Sequence, residues 1–252
     1  MAPSPPPPGI AIRNAGLEYG GVALFDGLSL EVPAARWTCL LGPSGVGKTT
    51  LLRLVAGLEG GAAGEVAFSD ARPGTTRLAY MAQQDLLLPW LTVTENVMLG
   101  ARLRGERNAA LAERARALVA RVGLADYADA LPDACSGGMR QRAALARTLI
   151  EDRPVVLMDE PFSALDAITR LQLQELAAEM LAGRTVLLVT HDPLEALRLG
   201  HSIHVMTGRP ARIGDALRPP GAAPRPAGDP AVLAQQADLL ARLTAAAAET
   251  AQ

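Results

Sequence analysis

Gly42-Pro43-Ser44-Gly45-Val46-Gly47-Lys48-Thr49 decides how the rest of the chain is read. The stretch satisfies the G-x-x-x-x-G-K-[ST] spacing of a phosphate-binding loop without substitution. The apolar run Trp37 to Leu41 before it reads as a buried strand. The stretch Thr50 to Ala56 after it reads as a helix ended by Gly57. Glycines let the backbone turn tightly enough to aim several amides at one anion, and the helix N-terminus adds partial positive charge. Gly42, Pro43, Ser44, Gly45, Val46, Gly47, Lys48, Thr49 and Thr50 are therefore expected to hold a nucleoside triphosphate. Lys48 is expected to reach the β- and γ-phosphates, and the Thr49 hydroxyl to ligate Mg²⁺. The competing reading is a Gly-rich turn with an incidental Gly-Lys-Thr, and it leaves the flanking strand and helix unexplained.

The chain has 252 residues, enough for one large α/β domain or one domain with an inserted lobe. Hydrophobic residues make up 49% and aromatic ones only 3%, so the core is expected to be aliphatic. A net charge of −2 gives no electrostatic footprint for nucleic acid, and no nucleic-acid partner is expected. Cys39 and Cys135 form neither a disulfide framework nor a metal spacing, which points to a reducing cytoplasm. Residues 1–9 read as a disordered Pro-rich lead rather than a signal peptide. No stretch approaches the roughly 18 to 20 apolar residues that a membrane span needs, so any membrane role is expected to run through a partner.

Residues 10 to 41 are β-rich, with alternation in Leu28 to Val32; short strands are expected at 64–69 and 78–81. A helical block is expected over about 93–122. Its arginines Arg102, Arg104, Arg107, Arg114, Arg116 and Arg121 are interspersed with Glu106 and Glu113, as on a solvated face. Val155 to Met158 and Thr185 to Val189 are continuous apolar runs, the pattern of parallel strands covered on both faces. Strands separated by helices imply right-handed crossovers. Residues 215–228 read as a Pro/Ala/Gly-rich linker. A helix opens at Asp229-Pro230, with Val232, Leu233, Leu239, Leu240 and Leu243 as its apolar stripe, packing on the domain's own surface.

Two further stretches carry chemistry. The strand beginning at Val155 ends in Asp159-Glu160, which brings two carboxylates to the sheet rim. Asp159 is the natural second contact to Mg²⁺, through water, and Glu160 is placed to polarise the attacking water. In Cys135-Ser136-Gly137-Gly138-Met139-Arg140-Gln141-Arg142, Ser136 caps a helix whose first-turn amides Gly137 and Gly138 leave uncovered. That helix carries Met139, Ala143, Ala146 and Leu149 on one face.

With these motifs in this order, from about Ile10 to Arg212, the chain resembles the ATP-binding subunits of ABC transporters. The resemblance implies an α/β fold: a P-loop NTPase (RecA-like) core with a parallel sheet, an antiparallel β subdomain and an inserted helical subdomain. It places the nucleotide-binding domain at 10–214, the helical subdomain at about 84–150, and a linker with a C-terminal helix at 215–252. Ser136-Gly137-Gly138 matches the family signature, with Cys135 and Met139 departing from its commonest form, Leu-Ser-Gly-Gly-Gln. Carried over, the resemblance implies that Tyr19 stacks on adenine. Of the adjacent Gln83 and Gln84, Gln83 would be the Q-loop residue sensing Mg²⁺ and the attacking water. Asp159-Glu160-Pro161 would be Walker B with Glu160 catalytic. Ser163 to Asp166 would be the D-loop, with Asp166 at the nucleotide, and His191 the switch histidine near the γ-phosphate. His201 and His204 lie outside the motifs.

The resemblance also implies partners. One phosphate loop and one signature per chain call for a homodimer with ATP between the two copies. Integral permease subunits would dock on Asp85 to Val93, and a periplasmic solute-binding protein would act through them. The location would be the cytoplasmic face of the inner membrane. Leu87-Leu88-Pro89-Trp90 resembles importers of the nitrate/sulfonate/taurine group, which includes carriers of pyrimidine thiamine precursors. The alternative is a soluble ABC ATPase uncoupled from transport. No heptads fill the span between Lys48 and Cys135, unlike DNA-repair members, and the chain holds one cassette, unlike ribosome-acting members.

Overall fold

The computed structural model describes residues 6–72, 77–106 and 108–250. Residues 1–5 of the expected lead, and Arg107, lie outside the described residues. In chain order the elements are β1 (Ile10–Tyr19), β2 (Val22–Val32), β3 (Trp37–Leu41), α1 (Lys48–Val55), β4 (Ala63–Phe68) and β5 (Leu78–Met81). Then come α2 (Val93–Val97), α3 (Leu99–Leu103), α4 (Ala109–Arg121), α5 (Gly137–Leu149), β6 (Val155–Asp159) and α6 (Ala167–Met180). The chain finishes with β7 (Thr185–Val189), α7 (Pro193–Leu199), β8 (Ser202–Thr207), β9 (Arg212–Ile213) and α8 (Pro230–Thr250). Two compact units share these elements. One comprises Met1–Leu78, Pro154–Asp159 and Ala182–Gln252; the other comprises Ala79–Arg153 and Glu160–Leu181.

The first unit holds two sheets. One is antiparallel, with strand order β2-β1-β4. In the other, strands follow one another as β6-β7-β3-β8-β9, parallel except for the last pair. Every residue of β3, β6 and β7 is buried. Their unbroken apolar runs are what a parallel strand covered on both faces requires. β2 instead alternates along its second half, as a strand with one wet face does. α1 packs on β6 and β7. Its Leu51 and Leu52 are fully buried, each contributing about 1.5–3 kcal/mol against an exposed reference. The buried Cys39 thiol is pushed well above its ordinary pKa by desolvation and is a core residue. His201 is structural as well: its Nδ1 accepts from the Trp37 amide at 3.1 Å, and burial lowers its pKa.

Three details of this unit differ from the expectations. Pro8, at the end of the Pro-rich lead, is buried, and its carbonyl accepts from Thr185 Oγ1 at 2.8 Å. Residues 215–228 do not run free. The buried Arg225 gathers the segment by donating to the carbonyls of Pro219, Pro220 and Gly221, and also to those of Leu197 and Gly200. α8 does pack on α7 and β8, with Asp229 Oδ1 accepting the Ala231 amide at 2.8 Å. Its buried face, however, is Val232, Leu239, Ala246 and Thr250, while Leu233 and Leu240 are exposed. Of the expected stripe, Val232 and Leu239 are buried and Leu243 is half-buried, while Ala246 and Thr250 extend the buried face along the helix.

The second unit is helical. The block expected over 93–122 is three helices, broken after Met98 and again at Gly105. α2 packs on α4 and α5, and Arg121 pairs with Glu179 at 2.8 Å to tie α4 to α6.

Candidate functional site

Within the first unit, three neighbouring strands end level. Val189 of β7 is the register partner of Leu40 on β3 and of Asp159 on β6. The phosphate loop, the Asp159 carboxylate and the Thr190-His191 turn therefore leave the sheet side by side, at the carboxyl edge where α/β sheets bind ligands. The loop has no room for side chains at two of its glycines. A Cβ on Gly42 (φ 153°) would lie 2.4 Å from the Met206 carbonyl, and one on Gly47 (φ 109°) 2.9 Å from the Phe25 ring. α1 begins at Gly47 with no side-chain cap and no acidic residue in its first turn, so its leading amides are left for an anion. The Lys48 ammonium lies over the loop, 2.8 Å from Gly42 O and 2.9 Å from Pro43 O.

Asp159 is buried, His191 is exposed, and Thr49 is exposed at the start of α1. Asp192 accepts the Leu194 and Glu195 amides and caps α7, which fixes the turn that presents His191. Tyr19, at the end of β1, keeps its ring half exposed. Its hydroxyl donates to Glu59 Oε1 at 2.6 Å, while Arg53 Nε donates to Glu59 Oε2 at 3.1 Å. Glu59 raises the Tyr19 pKa, first through this hydrogen bond.

Among the described residues, no cluster of three or more His, Cys, Asp or Glu side chains could hold a metal ion by itself. One hydroxyl and one carboxylate, Thr49 and Asp159, suit Mg²⁺, which takes few protein ligands and completes its shell with phosphate oxygens and water.

The second unit brings another group together. Gln83 Nε2 donates to Glu160 Oε2 at 3.4 Å, so of the two adjacent glutamines Gln83 is the one that meets this carboxylate. Glu160 has φ 50°, a left-handed conformation costing about 1–2 kcal/mol for a residue with a Cβ. Ser136 caps α5 through Met139 N at 3.3 Å, and the Met139 sulfur accepts Ser136 N at 3.5 Å. Met139 thus fills the reciprocal half of a capping box and is half-buried, in contrast to the buried Ala143, Ala146 and Leu149. The first-turn amides are accordingly only partly open. Asp166 caps α6 by accepting the Thr169 amide at 3.0 Å, which lowers its pKa.

Several residues that shape this unit were not singled out from sequence. Asn96, fully buried, accepts the Leu88 amide and donates to the carbonyls of Leu88, Leu91 and Thr92. It holds the loop that presents Leu86 and Trp90, which are 58% and 69% exposed. Arg140 pairs with Asp85 at 3.0 Å, and Arg147 donates to Leu86 O at 2.8 Å, latching that loop to α5. Gln141 ties α5 to the turn after Glu160. In sequence it sits between Arg140 and Arg142 and carries no signal of its own.

The ABC transporter family profile matches residues 25–163. The chain belongs to the ABC transporter family, as an ATP-binding subunit. It is 43% identical to an uncharacterised ABC transporter ATP-binding protein of Haemophilus influenzae, over 86% of this chain and 90% of that one. It is also 43% identical to the aliphatic sulfonates import ATP-binding protein SsuB 1 of Rhodococcus jostii, over 92% of each. Among solved structures, a dimeric ATP-binding cassette in a post-hydrolysis state with ADP and Pi superposes with TM-score 0.74 at 26% identity. That likeness covers 84% of this ABC chain and all of the cassette. The α/β P-loop fold with antiparallel and helical additions is the fold of this family.

Proposed function

We propose that this chain is the ATP-hydrolysing subunit of an importer for small organosulfonates or related oxyanions, the nitrate/sulfonate/taurine class. The observation that carries the solute class is the 43% identity, across 92% of both chains, to a protein named for aliphatic sulfonate import. Pyrimidine thiamine precursors are the other solutes of that group.

In this reading ATP lies between two copies of the chain. The phosphate loop of one copy, Gly42 to Thr50, takes the phosphates, with Tyr19 against adenine. Ser136, Gly137 and Gly138 of the other copy close over the γ-phosphate, with Asp166 nearby. Thr49, Asp159 and Gln83 would hold Mg²⁺, which supplies charge neutralisation at the β- and γ-oxygens when bound. Glu160 orients a water whose oxygen bonds to the γ-phosphorus as the bond to the β,γ-bridging oxygen breaks, giving ADP and phosphate. Lys48 and His191 stabilise charge on the transferred group. The left-handed Glu160 backbone and its Gln83 contact support a carboxylate held for this task.

No helix among the described residues is long and apolar enough to cross a membrane. In this reading the coupling runs through permease subunits at the cytoplasmic face. Exposed Leu86 and Trp90, on a loop clamped by Asn96, support a docking surface for them. A periplasmic solute-binding protein would select the solute.

Affinity capture of the tagged chain from detergent-solubilised membranes tests the reading. Recovery of a multispanning permease with a sulfonate-binding partner is expected. Recovery of the ATPase with ribosomal or DNA-associated proteins and no permease would overturn the transport reading in favour of a soluble ATPase. In parallel, Glu160→Gln is expected to lower kcat about 10²- to 10⁴-fold while ATP binding persists.

A further inference from the structure

The Gln141 side chain is 5% exposed and uses both ends of its amide on one turn. Nε2 donates to Glu160 O at 2.9 Å and approaches Ser163 Oγ at 3.2 Å; Oε1 accepts the Ala164 amide at 2.7 Å. The Glu160 carbonyl takes further hydrogen bonds from Ser163 Oγ at 3.1 Å and Ser163 N at 3.3 Å. A left-handed residue stays in place only where its surroundings over-determine it, and here the carbonyl of the left-handed Glu160 is held by three donors. One of them comes from α5. A second contact joins the same two pieces: a Cβ on Gly138 would lie 3.1 Å from Ala164 O. The α5 start therefore sits against the Ser163-Ala164 turn with almost no slack.

We infer that Gln141 is a positioning residue that couples the Ser136-Gly138 end of α5 to the Glu160 carboxylate, and so couples the two ATP sites of the dimer. This rests on the function proposed above. There, Ser136 to Gly138 touch the ATP held by the partner's phosphate loop, whereas Glu160 serves the ATP held by its own chain. A shift of α5 on meeting the partner's nucleotide reaches Glu160 through the Gln141 amide and the close Gly138–Ala164 contact. The buried amide also explains itself locally: a buried glutamine without partners would be costly, and this one is used at both ends.

The test compares steady-state ATP hydrolysis by the full-length wild type, Gln141→Met and Gln141→Glu. Met keeps length and bulk but removes every hydrogen bond. Glu keeps an acceptor for Ala164 N and replaces the donor to Glu160 O with a carboxylate oxygen. Both are expected to lower kcat about tenfold while the ATP Kd moves less than about twofold. The ATP dependence is expected to change from cooperative to hyperbolic, with a Hill coefficient falling to 1. A residue that merely fills the core would shift the melting temperature and leave this kcat-against-Kd split and the Hill coefficient alone. Where Gln141→Met lacks a cooperative thermal transition, Gln141→Glu carries the test. Folded variants with wild-type kcat and Hill coefficient, or a wild type with a Hill coefficient of 1, overturn the coupling. A wild type that hydrolyses no ATP overturns the proposed function itself, and the inference with it.

Discussion

The Tyr19 hydroxyl donates to the Glu59 carboxylate at 2.6 Å, and Arg53 holds the other carboxylate oxygen. An aromatic ring that is 49% exposed is thereby held at both its backbone and its far end. If the ring stacks on adenine, as proposed above, it gains from being set in advance, since less conformational freedom is lost on binding. Glu59→Ala and Tyr19→Phe are each expected to weaken ATP binding about threefold, the scale of one net hydrogen bond. Because both remove the same bond, the double variant should be no weaker than either single one. Titration calorimetry reads this directly, and additive losses would count against the arrangement.

Gly42 and Gly45 make a contrasting pair in the same loop. A methyl group at Gly42 runs into Met206 O, whereas at Gly45 the nearest atom is Arg209 Nη2 at 4.0 Å. Gly42→Ala is expected to abolish ATP binding and to destabilise the fold by about 2 kcal/mol or more. Gly45→Ala, strained only by its φ of 78°, should cost about 1 kcal/mol. Urea unfolding of the two variants side by side separates contact from conformation.

Arg225 should matter to stability out of proportion to its place in a Pro/Ala-rich segment. Its guanidinium satisfies carbonyls of Pro219, Pro220, Gly221, Leu197 and Gly200, and burial lowers its pKa. Arg225→Ala leaves several of these acceptors without a donor and is expected to cost about 3 kcal/mol or more. Arg225→Lys should recover only part of the loss, because an ammonium offers three donors rather than five. A denaturation midpoint equal to wild type for Arg225→Ala would refute the role.

Glu95 gives the chain an acid-sensitive element. It accepts the Thr92 amide at 2.9 Å in the capping box of α2 and pairs with Arg102 at 3.2 Å. The Thr92 hydrogen bond first, and the Arg102 charge after it, hold its pKa below the ordinary 4.5. A carboxylate with a depressed folded value stabilises the fold above the unfolded value and loses that contribution as pH falls through the folded one. The stabilisation is thus complete above about pH 4.5 and shrinks below it. Glu95→Gln is expected to melt lower than wild type at pH 7, with the two curves converging as the pH falls below the ordinary carboxylate range. A gap independent of pH would show that the charge contributes nothing.

The parts of this molecule that could be read from sequence were those where one residue type admits one physical use. Continuous aliphatic runs at β3, β6 and β7 mean strands covered on both faces, and those strands are fully buried. Gly42 and Gly47 mean a backbone with no room for Cβ, and the loop has none to give. Asp159-Glu160 could be placed because a strand end has an address. The leucines of α8 could be placed only in part, because Leu233 and Leu239 look alike in the sequence, and packing on α7 and β8 buries one and leaves the other exposed. Asn96, Arg225 and Gln141 were equally hidden. Each is a polar side chain whose partners are mostly backbone carbonyls and amides, and backbone groups leave no mark in a sequence.

Val189 being level with both Leu40 and Asp159 sets a rule of parity for the chain's evolution. Side chains alternate along a strand, so adding or deleting one residue within β6 would send the Asp159 carboxylate to the opposite face and put its apolar neighbour where the acid stood. A change of two residues would restore the face but move the acid by about 7 Å along the strand, past the loop it must meet. Neither is repaired by a small shift. Changes in length are therefore expected in the turns outside these strands, and the register constrains the five residues of β6 in number.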